Sequence, residues 1–166
     1  MRNTVVRGVF VFIALCAGAG AASAATDTFM LVPGIPGGSV ARGHEDWIDV
    51  ISLQQSWPGQ ARKGTSCDVT VVKGLDIAGP KLYLAAVTGQ IFSEIKIEVL
   101  KAAAEPVKFY ELKLTNAIIS SITTSGNSTS IAENVVISPQ SATLSFFTQR
   151  ADGSPGPPVT ATIPCN

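Results

Sequence analysis

Chemistry-bearing residues are scarce in this sequence. It holds a single histidine, His44, and three cysteines, of which Cys16 falls in the N-terminal apolar run and leaves only Cys67 and Cys165. Two cysteines and one distant histidine lack the ligand spacing of a zinc site, so neither metal nor other cofactor is expected. Charge is sparse and without bias, with 12 basic and 12 acidic residues. A nucleic-acid partner would need clustered lysine and arginine, and none are clustered. No G-x-S-x-G elbow, phosphate-cradling glycine loop or H-E-x-x-H helix occurs. Serine is plentiful, but a hydroxyl without a positioned base is not a nucleophile. No enzyme is expected, and no catalytic residue is assigned.

What is present begins with the N-terminus. Arg2 and Arg7 precede an uncharged apolar run over residues 9–17, and small residues follow as far as Ala22-Ser23-Ala24. That order of charge, apolar run and small-x-small site is a secretory signal, expected over residues 1–24. The run falls short of the roughly 20 apolar residues of a spanning helix, although an uncleaved anchor is the alternative. Leu15 precedes Cys16, where a lipoprotein site would place a small residue. Cleavage leaves ten basic against twelve acidic residues and no second apolar stretch of membrane length. The mature chain, residues 25–166, is expected as one domain, secreted or periplasmic and free of the membrane. In an oxidising compartment its two remaining cysteines, Cys67 and Cys165, are expected to pair.

The dominant pattern downstream is alternation with period two, broken by polar turns. Over residues 91–100, Ile91, Ile95, Ile97 and Val99 fall on one face and Glu94, Lys96 and Glu98 on the other. Trp47, Ile51 and Leu53 alternate with Ile48, Val50 and Ser52, as in a strand buried on both sides. Further strands are expected over residues 28–32, 69–73, 109–114, 117–124, 134–138 and 142–149. A Pro/Gly-rich loop over residues 152–158 should lead to a short last strand near Cys165. Gly79-Pro80 and Gly89 bracket a helix over residues 80–88, proline suiting its first turn and glycine its end. With one charge in that stretch, most of the helix surface should be covered. Short strands at this density predict a mainly β fold, an antiparallel two-sheet barrel or sandwich with one short α-helix.

Three features invite a functional reading. His44 sits beside Glu45 and Asp46, an arrangement open to acid–base chemistry, but neighbours on a turn face different ways and the stretch reads as a solvated turn. Trp47 and Trp57 read as barrel packing, with sugar stacking or an interface as the alternative. Glu94, Lys96 and Glu98 read as a solvated face, with a subunit contact as the alternative.

Several segments together resemble one family. Phe29-Met30-Leu31-Val32 followed by Gly34-Ile35-Pro36-Gly37-Gly38-Ser39 is similar to the strand and glycine-rich turn that open Hcp proteins of type VI secretion systems. Residues 48–57 resemble the next strand. Lys73, Leu75-Asp76 and Gly79-Pro80-Lys81-Leu82 resemble the strand, connection and proline-led helix; Leu112, Leu114, Asn116, Ile119-Ser120, Glu133-Asn134-Val135 and Phe146-Phe147-Thr148-Gln149 resemble the later strands. The likeness covers roughly residues 28–153 and implies a two-sheet barrel that forms hexameric rings, stacked into a tube carrying effectors. It implies self-association as the main partnership, with effector or spike proteins beyond it. The resemblance implies that the loop contacting adjacent rings corresponds to Ala41, Arg42, Gly43, His44, Glu45 and Asp46, with a mobile loop as the alternative. A signal peptide, a cysteine pair and a C-terminal extension from about residue 153 depart from the family pattern. They leave open an exported Hcp-fold binding or surface module outside type VI secretion.

Overall fold

The computed structural model describes residues 25–57, 67–101, 105–150 and 154–165. The expected signal over residues 1–24 lies outside them. The elements follow in the order β1 (Thr26–Leu31), β2 (Ile48–Val50), β3 (Ser52–Ser56), β4 (Asp68–Gly74), α1 (Gly79–Thr88), β5 (Ile91–Lys101), β6 (Val107–Gly126), β7 (Ile131–Ser138), β8 (Ser141–Gln149) and β9 (Pro155–Pro164). All pairings are antiparallel, in the order β2-β1-β5-β6-β7-β4-β3, with β8 on β6 and β9 on β8. The mainly β fold with one short helix is thus as the alternation predicted.

Strand β6 organises the two sheets. Residues 107–118 pair with β5 along one edge. The other edge pairs first with β8, at residues 110–115, and then with β7, at residues 118–126. Two strands were expected here, over residues 109–114 and 117–124; the structure has one of 20 residues. The apolar pattern looked interrupted because the buried face changes parity, from Leu112 and Leu114 to Ala117 and Ile119. Asn116 makes the change with φ 48°, a left-handed conformation that asparagine tolerates better than most residues. Its partner strand changes face at the same level. Phe92 is buried and Ile91 exposed, against the expected grouping of Ile91 with Ile95.

The segment around Ile51 also differs from expectation. It is two short strands, not one buried on both sides. Ile51 sits outward between them, while β2 pairs with β1 and β3 pairs with β4. The Ile51 N–H donates to the Val72 carbonyl at 2.8 Å, so the break links the two sheets and closes the barrel wall. Inside lie Met30, Ile48, Val71, Leu82, Ile95, Ile97, Leu112, Leu114, Val135 and Ile137.

Helix α1 starts and stops where proline and glycine predicted, with Gly89 left-handed at φ 63°. Its covering is not as expected. Gly79, Leu82 and Ala85 are buried, but Leu84 is 61% and Val87 80% exposed. The low charge of the helix therefore leaves a bare apolar stripe, since Leu84 and Val87 are neighbours at i, i+3. The helix start is fixed by an ion cluster. Lys73, fully buried, donates to the Gly74 carbonyl at 2.8 Å, Asp76 Oδ1 at 2.7 Å and Glu133 Oε2 at 2.5 Å. These three acceptors use all three ammonium protons. Lys73 and Glu133 are direct cross-strand partners. Asp76 also accepts from the Ala78 N–H, and a side chain at Gly79 would place its Cβ 2.8 Å from Glu133 Oε1.

The C-terminal strand is longer than expected: β9 begins at Pro155, inside the stretch read as a loop. Chains β7 and β8 run consecutively along β6 and part at Pro139 and Gln140. Beyond that fork, β4 takes the outer side of β7 and β9 the outer side of β8. Cys67 and Cys165 meet across the fork, their Cα atoms 5.5 Å apart and their sulfurs in bonding contact. The Cys165 N–H donates to the Gln140 carbonyl at 2.8 Å.

Removing one partner of the buried Lys73–Glu133 pair leaves the other charge uncompensated. Lys73→Ala is expected to cost roughly 3–5 kcal/mol. Lys73→Met combined with Glu133→Leu should recover most of that loss. Urea unfolding of the three proteins measures both.

Candidate assembly surface

The residues singled out for assembly lie on one loop between β1 and β2. Two backbone bonds tie its limbs together, from the Gly37 N–H to the Asp46 carbonyl at 2.7 Å and from the Ser39 N–H to the Trp47 carbonyl at 3.0 Å. The Asp46 N–H returns to the Ser39 carbonyl, and the His44 N–H to that of Ala41. Gly43 at φ 81° and Asp46 at φ 61° turn the chain. The Gly43 N–H donates to the Glu45 carboxylate at 2.9 Å. Hydrogen bonds from the backbone N–H groups of Glu45 and Gly43 hold the Glu45 carboxyl below its ordinary pKa. Arg42, Gly43, Glu45 and Asp46 face outward, and Val40 is 92% exposed.

His44 does not belong to a solvated turn. It is buried, stacked on Phe29 with ring centroids 4.4 Å apart, and edge-on to Trp47 at 4.7 Å. Its Nε2 lies 2.9 Å from Glu98 Oε2. The sequence neighbours Glu45 and Asp46 do not supply the carboxylate; a residue 54 positions away does. Alternation could place Glu98 on the outer face of β5, but not reveal that the loop folds back over it. For the same reason Glu98 is not part of a freely solvated face. The ring of His44 is thus the bolt that fastens loop to barrel.

Glu98 continues into a chain of charges. Lys108 Nζ lies 3.0 Å from Glu98 Oε1 and 2.6 Å from Glu111 Oε2, and Lys113 Nζ is 3.5 Å from Glu111 Oε1. Burial alone would raise the Glu111 carboxyl. The hydrogen bond and charge of Lys108 and the charge of Lys113 outweigh it and hold Glu111 below its ordinary 4.5. Burial likewise pushes Lys108 down, and its bonds to Glu111 and Glu98 reverse the sign, lifting it above 10.5.

Trp47 and Trp57 are half-buried, and Trp57 packs against the core. That position fits the packing reading of both rings. Among the described residues, no group of three or more His, Cys, Asp or Glu side chains is placed to hold a metal. No helix among them is long and apolar enough to cross a membrane.

The two shifts predict opposite pH limits. A depressed Glu111 contributes stability above pH 4.5, lost as pH falls through its folded value. A raised Lys108 contributes below pH 10.5, lost as pH rises through its folded value. Melting temperature followed across pH should fall at both ends. Glu111→Gln should flatten the acid arm and shrink the alkaline loss to the part that stems from the Lys108–Glu98 contact.

Known proteins share this architecture. The family model described as type VI secretion system effector, Hcp, matches residues 29–146. The Hcp1 protein of Pseudomonas aeruginosa is 28% identical over 143 residues, covering 78% of this chain and 88% of the relative. The crystal structure of Hcp1 from Salmonella typhimurium superposes with a TM-score of 0.71 at 21% identity, covering 84% of this chain and 94% of the other. A type VI secretion system effector from Yersinia pestis gives 0.70 at 20% identity, covering 83% and 99%. The segments similar to Hcp proteins, the two-sheet barrel and the family match over most of the chain agree: this chain belongs to the Hcp family of type VI secretion system proteins.

Proposed function

We propose that residues 25–166 form one Hcp-type domain that acts as a tube subunit, six copies closing a ring and rings stacking through the loop over residues 40–46. The lumen would carry effector proteins, and the tube end would meet the spike. The observation that carries this reading is the loop itself. It is braced by cross-loop backbone bonds and by His44 on Glu98, yet presents Val40, Arg42 and Glu45 outward. A braced loop loses little conformational entropy on contact, which favours repeated docking between identical rings. A six-fold ring uses contacts between different faces that close by rotation.

Light scattering on the purified protein across a concentration series tests the reading. A six-subunit mass, with stacked rings by electron microscopy, supports it. Arg42→Glu should then shorten the stacks and leave the ring mass unchanged. A monomer at every concentration refutes it.

The second reading is an exported Hcp-fold protein serving as a periplasmic or extracellular binding or surface module. The cysteine pair at the fork between β7 and β8 favours export, because such bridges persist in oxidising compartments. With the cysteines 98 positions apart in sequence, the chain-entropy model gives a stabilisation of roughly 4–5 kcal/mol. Cys67→Ser or Cys165→Ser should lower the melting temperature under oxidising conditions and change nothing in reductant. Equal melting of oxidised parent and variants would remove the bridge from the account.

A further inference from the structure

His44 is the only histidine of the chain, and histidine is the side chain that ordinarily changes charge between pH 5 and 8. Among the described residues, its bond to Glu98 is the only side-chain hydrogen bond from residues 40–46 to a strand. The ring is buried against Phe29 and edge-on to Trp47, so a change in its charge is weakly screened. It also lines a cleft with Asp27, Arg42, Leu100 and Glu105, which gives solvent protons a path to it.

Charges face His44 from every element around it. On β5, Glu98 is shared, its Oε1 taking Lys108 at 3.0 Å while Oε2 faces the imidazole, and Lys96 lies next along the same face. On β6, Lys108 also meets Glu111, and Lys113 meets Glu111 in turn. These two ammonium groups, Lys108 and Lys113, balance Glu98 and Glu111. Lys108 is lifted above 10.5 and Glu111 held below 4.5, so neither changes charge while a histidine titrates. Strand β1 adds Asp27, β2 adds Asp49 opposite Phe29, and the connection from β5 to β6 adds Glu105. The loop adds Glu45 and Asp46 against the guanidinium of Arg42, and Glu45 feels the charge of His44 directly. Carboxylates thus outnumber Lys96 and Arg42, and a proton added to His44 enters surroundings of negative sign.

We propose that His44 is a proton-operated latch on the loop over residues 40–46. As the imidazolium it holds the loop to β5 through a charge-assisted bond to Glu98; as the neutral ring it holds the loop less firmly. The proton comes from solvent and returns to it. Neutral imidazole can still donate from Nε2, so the bond is weakened and not broken. Charge-assisted hydrogen bonds are roughly twice as strong as neutral ones, and a difference of that size changes the open fraction of the loop about tenfold. The sign follows from which state holds the proton. The closed loop gains from protonation, so its extra hold is present at acid pH and lost as pH rises through the titration of His44. The consequence for assembly rests on the tube reading above: if this loop joins ring to ring, acid favours long stacks and alkali short ones.

Amide hydrogen exchange on the whole protein tests the latch. The readout is protection, corrected for the intrinsic pH dependence, at the hydrogen-bonded loop amides of Gly37, His44, Asp46 and Trp47. Protection should fall about tenfold between pH 5 and 8, while amides of β5 and β6 hold steady. Because there is one histidine, its imidazole signals in NMR give a single titration, and the loop should follow the same midpoint. His44→Gln keeps a donor without the titration and should make protection independent of pH. In Glu98→Gln the imidazole should still titrate, but the loop should no longer follow it. Steady β5 and β6 amides show in each variant that the barrel is folded. The latch is overturned if parent protection is flat, if its midpoint departs from that of the imidazole, or if His44→Gln keeps the same pH dependence. None of these readings needs a ring. A monomeric parent refutes the tube reading and leaves the latch to its exchange data, whereas rings with flat loop protection overturn the latch alone. Where rings form, electron microscopy should show parent stacks shortening from pH 5 to 8 and His44→Gln stacks unchanged; parent stacks of constant length overturn the latch's part in assembly.

Discussion

Strand β6 has hydrogen-bonding neighbours along both edges for much of its length, and everything else in the fold is placed relative to it. Its first half lies between β5 and β8, while its second half passes to β7. One strand can serve two sheets only if its buried face switches sides part-way. The switch occurs at Asn116, one of only two non-glycine residues with positive φ among the described residues, and is followed by a register shift between Ile119 and Ser121. Without it, Leu114 and Ala117 would point to opposite sides, and half the core would face solvent. The fork of β7 from β8 is the consequence one strand further out, and the cysteine contact closes that fork.

Two polar clusters sit where the barrel needs to be fixed to its attachments. Lys73, Asp76 and Glu133 hold the start of α1 against β4 and β7. His44, Glu98, Lys108 and Glu111 hold the loop over residues 40–46 against β5 and β6. Buried ion pairs contribute modestly to net stability because desolvation offsets attraction, but they penalise any arrangement that leaves one charge alone. Both clusters are thus better understood as specifying where helix and loop dock than as sources of stability.

The apolar surface left over is of a different kind. Leu84 and Val87 on α1, and Phe146 and Val159 on β8 and β9, are exposed apolar side chains that the barrel itself does not cover. The composition of the helix predicted a covered surface, and the barrel covers only the side that carries Gly79, Leu82 and Ala85.

The sequence by itself determined the class of fold and most of its parts. Alternation marked the strands, proline and glycine set the ends of α1, and the ordered segments from Phe29 to Gln149 carried the family likeness. Those features are local, written in the spacing of neighbouring residues. It was silent on whatever depends on pairing across the chain. Lys73 is buried in the core, and its partner Glu133 lies 60 residues away. His44 beside Glu45 and Asp46 suggested a solvated turn, yet the loop folds its ring beneath Trp47 onto Glu98. The unity of β6 and the reach of β9 were hidden because a bend and a run of prolines look like breaks when read along the chain. Only the tertiary structure decided these, because register and burial are properties of strands brought together, and no local pattern records which strand will be the neighbour.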